Sequence, residues 1–400
     1  MSWEKGININ NVSTIICGSR IFLGVGAIEK MGFIAEQLKA QGVDSVLVMT
    51  GKSAYQSTGA WDHVTKALDG QGVRYTLYNK VQPNPETHQV DEAVKVGREA
   101  GAKAVICIGG GSPIDAGKSA AILLEYPDKT CQDLYEMKFA PTKAVPIIAI
   151  NLTHGTGSEA NRFAVVTIPE KEYKPALAAD CIYPFYSIDD PALMTGLPAD
   201  QTRYVSVDAV NHVVEAATTV LNNPFAITLG KEVMRLVAKY LPAALKDPKD
   251  LEARYFLTYA ALIAGTSFDN GLLHFTHALE HPLSGIKPEI THGLGLSVLL
   301  PAVVKETYPT AGAVLADLLS AIVPGLTGDP AEAGKAADGV RAWLHSVGIT
   351  QTLTDLGFTK SDIPKLVDLT FETPGLSGLL GCAPVPSGKD AVERIYTGSL

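Results

Sequence analysis

Histidines and one aspartate recur at helical spacing in two segments of the sequence. Four of the nine histidines fall within nineteen residues, in HFTHALEHPLSGIKPEITHG. If this segment begins as a helix, His274, His277 and His281 share one face, because residues three and four apart lie on the same side of a helix. Upstream, Asp208 and His212 in DAVNHVVEA have the same i, i+4 relation.

Imidazoles one helical turn apart, together with a carboxylate, are how a helical domain presents several ligands to one divalent metal. The two segments therefore predict a metal centre. Imidazoles with one carboxylate suit ferrous iron or zinc, and the residue types do not separate the two metals. Either metal acts as a Lewis acid on a substrate oxygen.

A glycine-rich turn, GGGSPIDAGK (residues 109–118), follows the apolar run AVICI. Glycines let the backbone approach a phosphate, and the start of a helix offers N–H groups, so the turn predicts a nucleotide site. Ser112 offers a hydroxyl, and we expect Asp115 in the first helical turn, where its charge favours the helix dipole. The spacing matches neither GxGxxG nor a Walker loop, so a tight strand-to-helix turn is the alternative.

A second loop of small residues, NLTHGTGSEANR (residues 151–162), also follows an apolar run. Its glycines and hydroxyls offer further donors. Open parallel sheets bind ligands at the carboxyl ends of their strands, so we expect both loops at one edge of the same sheet. Two such loops favour a nucleotide more strongly than either does alone.

The elements that must position these residues differ between the two halves of the chain. Short apolar runs at 45–50, 74–79, 104–108 and 145–151 alternate with helical patterns in the first half, which is typical of parallel strands covered by helices. Long helical patterns fill the second half. We therefore predict a Rossmann-like α/β domain with a parallel sheet, residues 1–190, and an all-α metal-binding domain, residues 191–400, divided at a proline-marked turn.

Composition restricts the class of protein. The formal charge is −9, from 33 basic and 42 acidic side chains among 400 residues, so nothing suggests binding to nucleic acid. No segment sustains the roughly 18 apolar residues of a membrane helix, and no apolar leader follows the N-terminus. We expect a soluble cytoplasmic protein that does not bind membranes.

Four motifs in order resemble the iron-containing (group III) alcohol dehydrogenase family. They are GGGSPIDAGK, LTHGTGSEANRFAVVT, DAVNHVVEA, and HALEHPLSG followed by THG. The resemblance runs from about residue 15 to the end of the chain. It implies a dinucleotide-binding α/β domain and a helical domain, with metal and nicotinamide meeting in the cleft, and a homo-oligomer, a dimer or larger.

The resemblance also assigns roles to single residues. It implies that the metal ligands are Asp208, His212, His277 and His292. His281 matches the family histidine near the nicotinamide, to which a proton-relay role is given. The matching cofactor-binding positions are Asn84, Gly110, Gly111, Ser112, Thr153, Thr156 and Lys174.

The sequence departs from the family pattern at three places. His274 stands where many members have glycine, which suggests a spare imidazole near the metal, and His154 is new in the second loop. Gly51 and Lys52 stand where members that prefer NAD(H) often carry an aspartate, so Gly51 is a candidate determinant of cofactor choice. A missing carboxylate removes repulsion against a 2′-phosphate, and NAD(H) is therefore favoured only slightly over NADP(H).

The resulting hypothesis is a metal-dependent NAD(P)(H) oxidoreductase that interconverts a primary alcohol and its aldehyde. Iron is the expected metal, with zinc as the alternative, and His281 carries the proton. His154 and His274 together favour a small polar aldehyde, such as sulfoacetaldehyde, which would be reduced to isethionate. Simple alcohols and diols stay open. The alternatives are a lyase similar to the dehydroquinate synthases, and a metal-binding protein without turnover.

Overall fold

The computed structural model describes residues 3–7 and 12–400, which divide into two compact units. The sheet unit comprises Cys17–Leu197 and Pro248–Leu262. The helical unit comprises Pro198–Asp247, Ile263–Leu400 and the described residues before Cys17. These ranges differ from a single division at residue 190, because Pro248–Leu262 clusters with the sheet unit. The assignment of two functional domains, 1–190 and 191–400, stays a prediction.

Strands and helices alternate in the sheet unit. Its strands are β1 (Arg20–Leu23), β2 (Ser45–Thr50), β3 (Arg74–Tyr78), β4 (Val105–Gly109), β5 (Ile147–Asn151), β6 (Phe163–Val165), β7 (Ala176–Ala178) and β8 (Tyr186–Asp189). Its helices are α1 (Met31–Ala40), α2 (Ala54–Ser57), α3 (Ala60–Gly70), α4 (Thr87–Glu99), α5 (Gly111–Glu125) and α6 (Cys131–Tyr135).

Six strands form one parallel sheet in the order β1-β8-β5-β4-β2-β3, and β6 and β7 form a separate antiparallel pair. The central strands are apolar nearly throughout because helices cover both faces. Val46 and Val48 of β2 pack into one core with α1 and α3, whereas Leu47 and Met49 pack into the other with α4 and α5. The predicted parallel α/β fold is confirmed.

The four apolar runs that predicted strands correspond to β2, β3, β4 and β5. The sequence did not predict β1 and β8, which complete the sheet. Each has only four residues, and β1 is partly exposed, so neither gives a long apolar run. They join the sheet by parallel pairing: β8 pairs with β5, and β1 pairs with β8.

The strand order reverses direction between β2 and β4. From β2 the chain continues to β3 at one edge, whereas from β4 it continues to β5 and β8 on the other side. Open α/β sheets bind ligands in the crevice beyond the carboxyl ends of the strands at such a reversal. Gly51 follows β2 at this point and Gly110 follows β4.

Helices account for the second half of the chain, and no strand occurs in residues 198–400. They are α7 (Ala199–Ala216), α8 (Pro224–Lys246), α9 (Leu251–Gly271), α10 (Phe275–Ile286), α11 (His292–Leu318), α12 (Ala333–Ser346), α13 (Ile363–Glu372), α14 (Leu376–Leu380) and α15 (Lys389–Thr397). Helix α8 begins where Asn223 accepts a hydrogen bond from the amide of Ala226 and Pro224 occupies the first turn.

The helical unit has a core of its own, built from α10, α11, α13 and α15, and the predicted all-α region is confirmed. None of the helices within the described residues combines the length and the apolar character that a membrane crossing requires.

Candidate functional site

Three helices of the helical unit carry the candidate metal ligands. Helix α7 carries Asp208, α10 carries His277, and α11 begins at His292. One ligand atom of each lies within 4.8 Å of the others. Asp208 Oδ1 is 3.7 Å from His277 Nε2, and both side chains are almost fully buried. The structure thus brings together residues that are up to 84 positions apart, counted as 292 minus 208.

This donor set fits a divalent metal. Asp208 Oδ1 and His277 Nε2 are buried and make no hydrogen bond within the described part of the chain. Buried polar atoms without a partner are rare because each costs the free energy of desolvation. A carboxylate oxygen and imidazole nitrogens are the ligands that ferrous iron and zinc prefer. The cluster is therefore the candidate metal centre.

His212 lies beside this cluster and is held mainly by stacking. Its Nε2 is 3.4 Å from Asp208 Oδ1. Its ring stacks on His277 with centroids 4.7 Å apart and on Phe268 with centroids 4.4 Å apart. Within the described residues, His212 Nδ1 has no hydrogen-bond partner. His212 therefore directs Nε2 towards the cluster without a polar anchor on its other nitrogen.

The electrostatics of the cluster favour ionised carboxylates. Burial alone would raise the pKa of Asp208, but His212, His277 and His292 outweigh it and lower that pKa to about 2. Burial alone would lower the pKa of His277, but Glu215 and Asp208 outweigh it and raise that pKa to about 9. At neutral pH, Asp208 is thus an anion available to a cation.

His274 does not share the face of His277 and His281, so that expectation is wrong. Helix α10 begins at Phe275, and His274 is the non-helical residue before it, with φ −144° and ψ −111°. Its Nε2 lies 2.9 Å from Thr218 Oγ1, which fixes the ring outside the group formed by Asp208, His277 and His292. Helix α9 ends at Gly271, and His274 belongs to the short segment between α9 and α10, outside both helices.

Two glutamates contact the candidate ligands, and the sequence analysis missed both. Glu215 hydrogen-bonds His277 Nδ1, and Glu280 hydrogen-bonds His292 Nδ1. Both carboxylates are fully buried. Glu215 follows Asp208 by seven residues, which is the spacing of one helix face, so this signal was present in DAVNHVVEA.

His281 lies one helical turn after His277 on α10, as its spacing predicts. Its ring centroid is 5.8 Å from that of His292, and its side chain is buried. It forms a second group of close ligand atoms with Glu280 and His292. This position, next to the metal centre without belonging to the first group, suits the transfer of a proton.

The two small-residue loops of the sheet unit interlock. A Cβ at Gly110 would lie 2.7 Å from Thr153 Oγ1, and one at Gly111 would lie 2.6 Å from Thr156 Cγ2. Glycine is therefore required there by close approach of the second loop. Helix α5 begins at Gly111, so Ser112 lies in its first turn and backbone N–H groups face the carboxyl edge of the sheet.

Asp115 is not in the first turn of α5, so the expected interaction with the helix dipole is wrong. Its carboxylate instead accepts hydrogen bonds from Ser158 Oγ at 2.5 Å and from the amide of Val165 at 3.0 Å. Lys118, buried on the same helix, donates to Ser158 Oγ and to the carbonyl of Asn161, both at 2.9 Å. The two charged side chains thus hold the second loop in place, a role that sequence spacing did not reveal.

The other candidate cofactor residues lie in connecting segments of the sheet unit. Gly51 directly follows β2, and Lys52 after it is exposed. Asn84 is buried with φ 54°, in the segment that leads to α4. Lys174 is buried in the segment between β6 and β7. Asn84 and Lys174 belong to neighbouring segments, because the amide of Thr167 donates to the carbonyl of Pro85 at 2.7 Å.

His154 lies in the second loop but is fully buried. Burial and then the charge of Arg254 lower its pKa to about 3, so it is neutral at physiological pH. The Nη1 of Arg254 lies 2.9 Å from His154 Nε2, which accepts the hydrogen bond because a guanidinium only donates. The ring is therefore a structural acceptor.

Comparisons with known proteins agree with this arrangement. The model of the iron-containing alcohol dehydrogenase family matches residues 18–191, and that of the Fe-containing alcohol dehydrogenase family, C-terminal, matches 202–399. A long-chain primary alcohol dehydrogenase of Thermoanaerobacter ethanolicus is 58% identical over 398 residues, which cover 100% of each chain.

Two solved structures extend the comparison. NADH-dependent butanol dehydrogenase A from Thermotoga maritima has a TM-score of 0.89 and 28% identity, covering 97% of this chain and 98% of that one. Sulfoacetaldehyde reductase from Bifidobacterium kashiwanohense, in complex with NAD+, has a TM-score of 0.82 and 26% identity, covering 98% and 99%. This chain therefore belongs to the iron-containing alcohol dehydrogenase family and is an alcohol/aldehyde oxidoreductase.

Proposed function

We propose that this enzyme uses iron and NAD(H) to interconvert an apolar primary alcohol and its aldehyde. The observation that carries the proposal is the close group of Asp208, His277 and His292, in which the first two are buried and His292 is partly exposed, with His212 beside it. These four side chains are the proposed ligands, and iron is favoured over zinc because the family is iron-containing. NAD(H) is favoured because the butanol dehydrogenase relative is NADH-dependent.

Different residues of the chain have different roles in the proposed reaction. A bound divalent metal supplies Lewis acidity towards a substrate oxygen, and the nicotinamide gives or takes a hydride. His281 exchanges the proton of the substrate hydroxyl. The start of α5, with Gly110, Gly111 and Ser112, holds the cofactor phosphates, because its N–H groups have no partner within the helix. Thr153, Thr156, Asn84, Lys174 and Gly51 complete the proposed cofactor site.

One observation supports an apolar substrate. The 58% identical relative is named for long-chain primary alcohols.

Sulfoacetaldehyde is the second candidate substrate. It is supported by the structural neighbour that is named a sulfoacetaldehyde reductase. The sequence argument for a polar aldehyde relied on His154 and His274. Both side chains are buried and hydrogen-bonded, to Arg254 and Thr218 respectively. Because both imidazoles already hydrogen-bond other side chains of the protein, they give little support to a polar aldehyde.

An assay on the whole enzyme tests the proposal. The protein is purified without oxygen, loaded with ferrous iron, and mixed with NADH or NADPH and one of butanal, decanal, lactaldehyde or sulfoacetaldehyde. We expect iron-dependent loss of NADH absorbance with butanal and decanal at a higher kcat/KM than with sulfoacetaldehyde. The reverse order would reject the apolar substrate. No absorbance change with any aldehyde, while metal and nucleotide still bind, would reject the proposed reaction.

A further inference from the structure

We propose that Glu215 and Glu280 are positioning residues that fix the rings of His277 and His292 for metal binding and thereby set the affinity of the centre. The inference rests on the ligand set of the proposed function. It concerns the two carboxylates behind those ligands, which hydrogen-bond the Nδ1 atoms of the two rings.

The contact between Glu215 and His277 selects one tautomer of the ring. Glu215 Oε2 faces His277 Nδ1, and an ionised carboxylate only accepts hydrogen bonds, so Nδ1 carries the proton. A metal would therefore displace the proton on Nε2 and bind that nitrogen, while Glu215 keeps the proton on Nδ1. That nitrogen is the one lying 3.7 Å from Asp208 Oδ1. A carboxylate behind a histidine ligand in this way fixes the ring and raises the basicity of the ligand nitrogen.

Glu215 also holds the backbone that carries His277. Its Oε1 accepts from the amide of His274 at 2.9 Å and from the amide of His277 at 3.3 Å. His274, at the start of α10, gives that helix no side-chain cap, so Glu215 on α7 caps it from outside. One buried carboxylate thus fixes both the helix start and the ligand ring.

Glu280 makes the equivalent contact with the first residue of α11. Its Oε2 accepts from His292 Nδ1, which places a ring proton on that nitrogen and fixes the orientation of the ring. Gly295 of α11 leaves room for this carboxylate because it has no side chain. A Cβ at residue 295 would lie only 2.8 Å from Glu280 Cγ. In the part of the chain that the structure describes, the third histidine of the set, His212, has stacking contacts and no hydrogen-bond partner at Nδ1.

Metal affinity measured directly tests the inference. The metal-free full-length variants Glu215→Gln and Glu280→Gln are titrated with Co²⁺ and with Fe²⁺ under argon, and the visible Co²⁺ spectrum and the thermal unfolding of the metal-free protein are recorded. A glutamine keeps the size of the side chain but removes its charge, and its NH2 group no longer enforces protonated Nδ1. We expect Kd to rise 10- to 100-fold in each variant, with a changed Co²⁺ spectrum.

Glu332→Gln is the matched control. Glu332 accepts from the amides of Thr327 and Gly328, at 2.7 and 3.1 Å, and from Tyr308 Oη at 3.2 Å, so it resembles Glu215 in its contacts. It contacts none of the proposed ligands in these hydrogen bonds. We expect this variant to lower the unfolding temperature while leaving Kd for Co²⁺ unchanged.

Two outcomes would overturn the inference. One is an unchanged Kd and Co²⁺ spectrum in both glutamine variants. The other is a rise in Kd that Glu332→Gln reproduces, because the effect would then follow from general loss of stability. Asp208→Ala separates the inference from the proposed function. If Asp208→Ala keeps full metal affinity, the ligand set itself is wrong; if it loses the metal while both glutamine variants keep it, only the inference fails.

Discussion

Gly110 and Thr153 lie so close together that a Cβ at residue 110 would stand 2.7 Å from the threonine Oγ1. Gly111 and Thr156 repeat the relationship one residue later. The two loops that the sequence presents as separate phosphate candidates are therefore one interlocked structure. Asp115 and Lys118 of α5 secure it through Ser158.

Gly110→Ala should weaken nucleotide binding. The added methyl group must displace Thr153 or the start of α5, and overpacking of this kind costs about 1–3 kcal/mol. We expect Kd for NADH to rise about tenfold, which corresponds to roughly 1.4 kcal/mol, measured by fluorescence titration. Gly32→Ala on α1 is the control, because a Cβ there has no atom within 4 Å. If Gly110→Ala and Gly32→Ala bind NADH with the same Kd, the result would contradict the proposed interlock of the two loops.

Gly51→Asp should increase the preference for NADH over NADPH. A side chain fits at this position, because a Cβ would lie 3.5 Å from the carbonyl oxygen of Val81, which is an ordinary contact. A carboxylate would accept hydrogen bonds from the ribose and repel a 2′-phosphate. We expect KM for NADPH to rise at least about tenfold, with a smaller change for NADH.

Gly51→Asn is the matched variant, since it adds the same volume without the charge. If the asparagine shifts the preference as much as the aspartate, the effect is steric and position 51 does not recognise the 2′-phosphate.

His277→Ala and His274→Gln should differ in their effect on the metal. His277 offers Nε2 to the cluster, whereas His274 Nε2 is engaged with Thr218. We therefore expect His277→Ala to lose iron and activity together, and His274→Gln to retain full iron content with reduced stability. Iron content by mass spectrometry after desalting measures this difference. Loss of iron from His274→Gln at an unchanged unfolding temperature would show that His274 is a ligand after all.

His154 should make the protein less stable in acid. Its pKa is lowered from 6.5 to about 3 in the folded state, so below pH 6.5 the unfolded chain takes up a proton that the native state refuses. The free energy of unfolding therefore decreases as the pH is lowered, by up to about 1.4 kcal/mol per pH unit from this residue. His154→Gln keeps an acceptor for Arg254 and removes the titration. We expect urea denaturation of this variant to show a shallower loss between pH 6 and about pH 4. A constant difference from the parent enzyme across that range would contradict the assignment.

The sequence by itself determined the local pieces of this enzyme. Apolar runs predicted β2 to β5 because strands covered on both faces are apolar throughout. The i, i+4 pairs predicted that Asp208 and His212 share one helix face, as do His277 and His281. Such features depend on neighbours within a few residues, so periodicity reveals them.

Only the tertiary structure decided which of those pieces meet. Glu215 reaches His277 across 62 residues, and Lys118 reaches Ser158 across 40. His274 has the residue type and spacing of a ligand, but the helix starts one residue later and its ring turns to Thr218. Contacts of this range depend on how whole helices pack, because each charged side chain must find a partner once burial removes it from water. The spacing in DAVNHVVEA places Glu215 on the helix face of Asp208, but no local pattern shows that it meets His277.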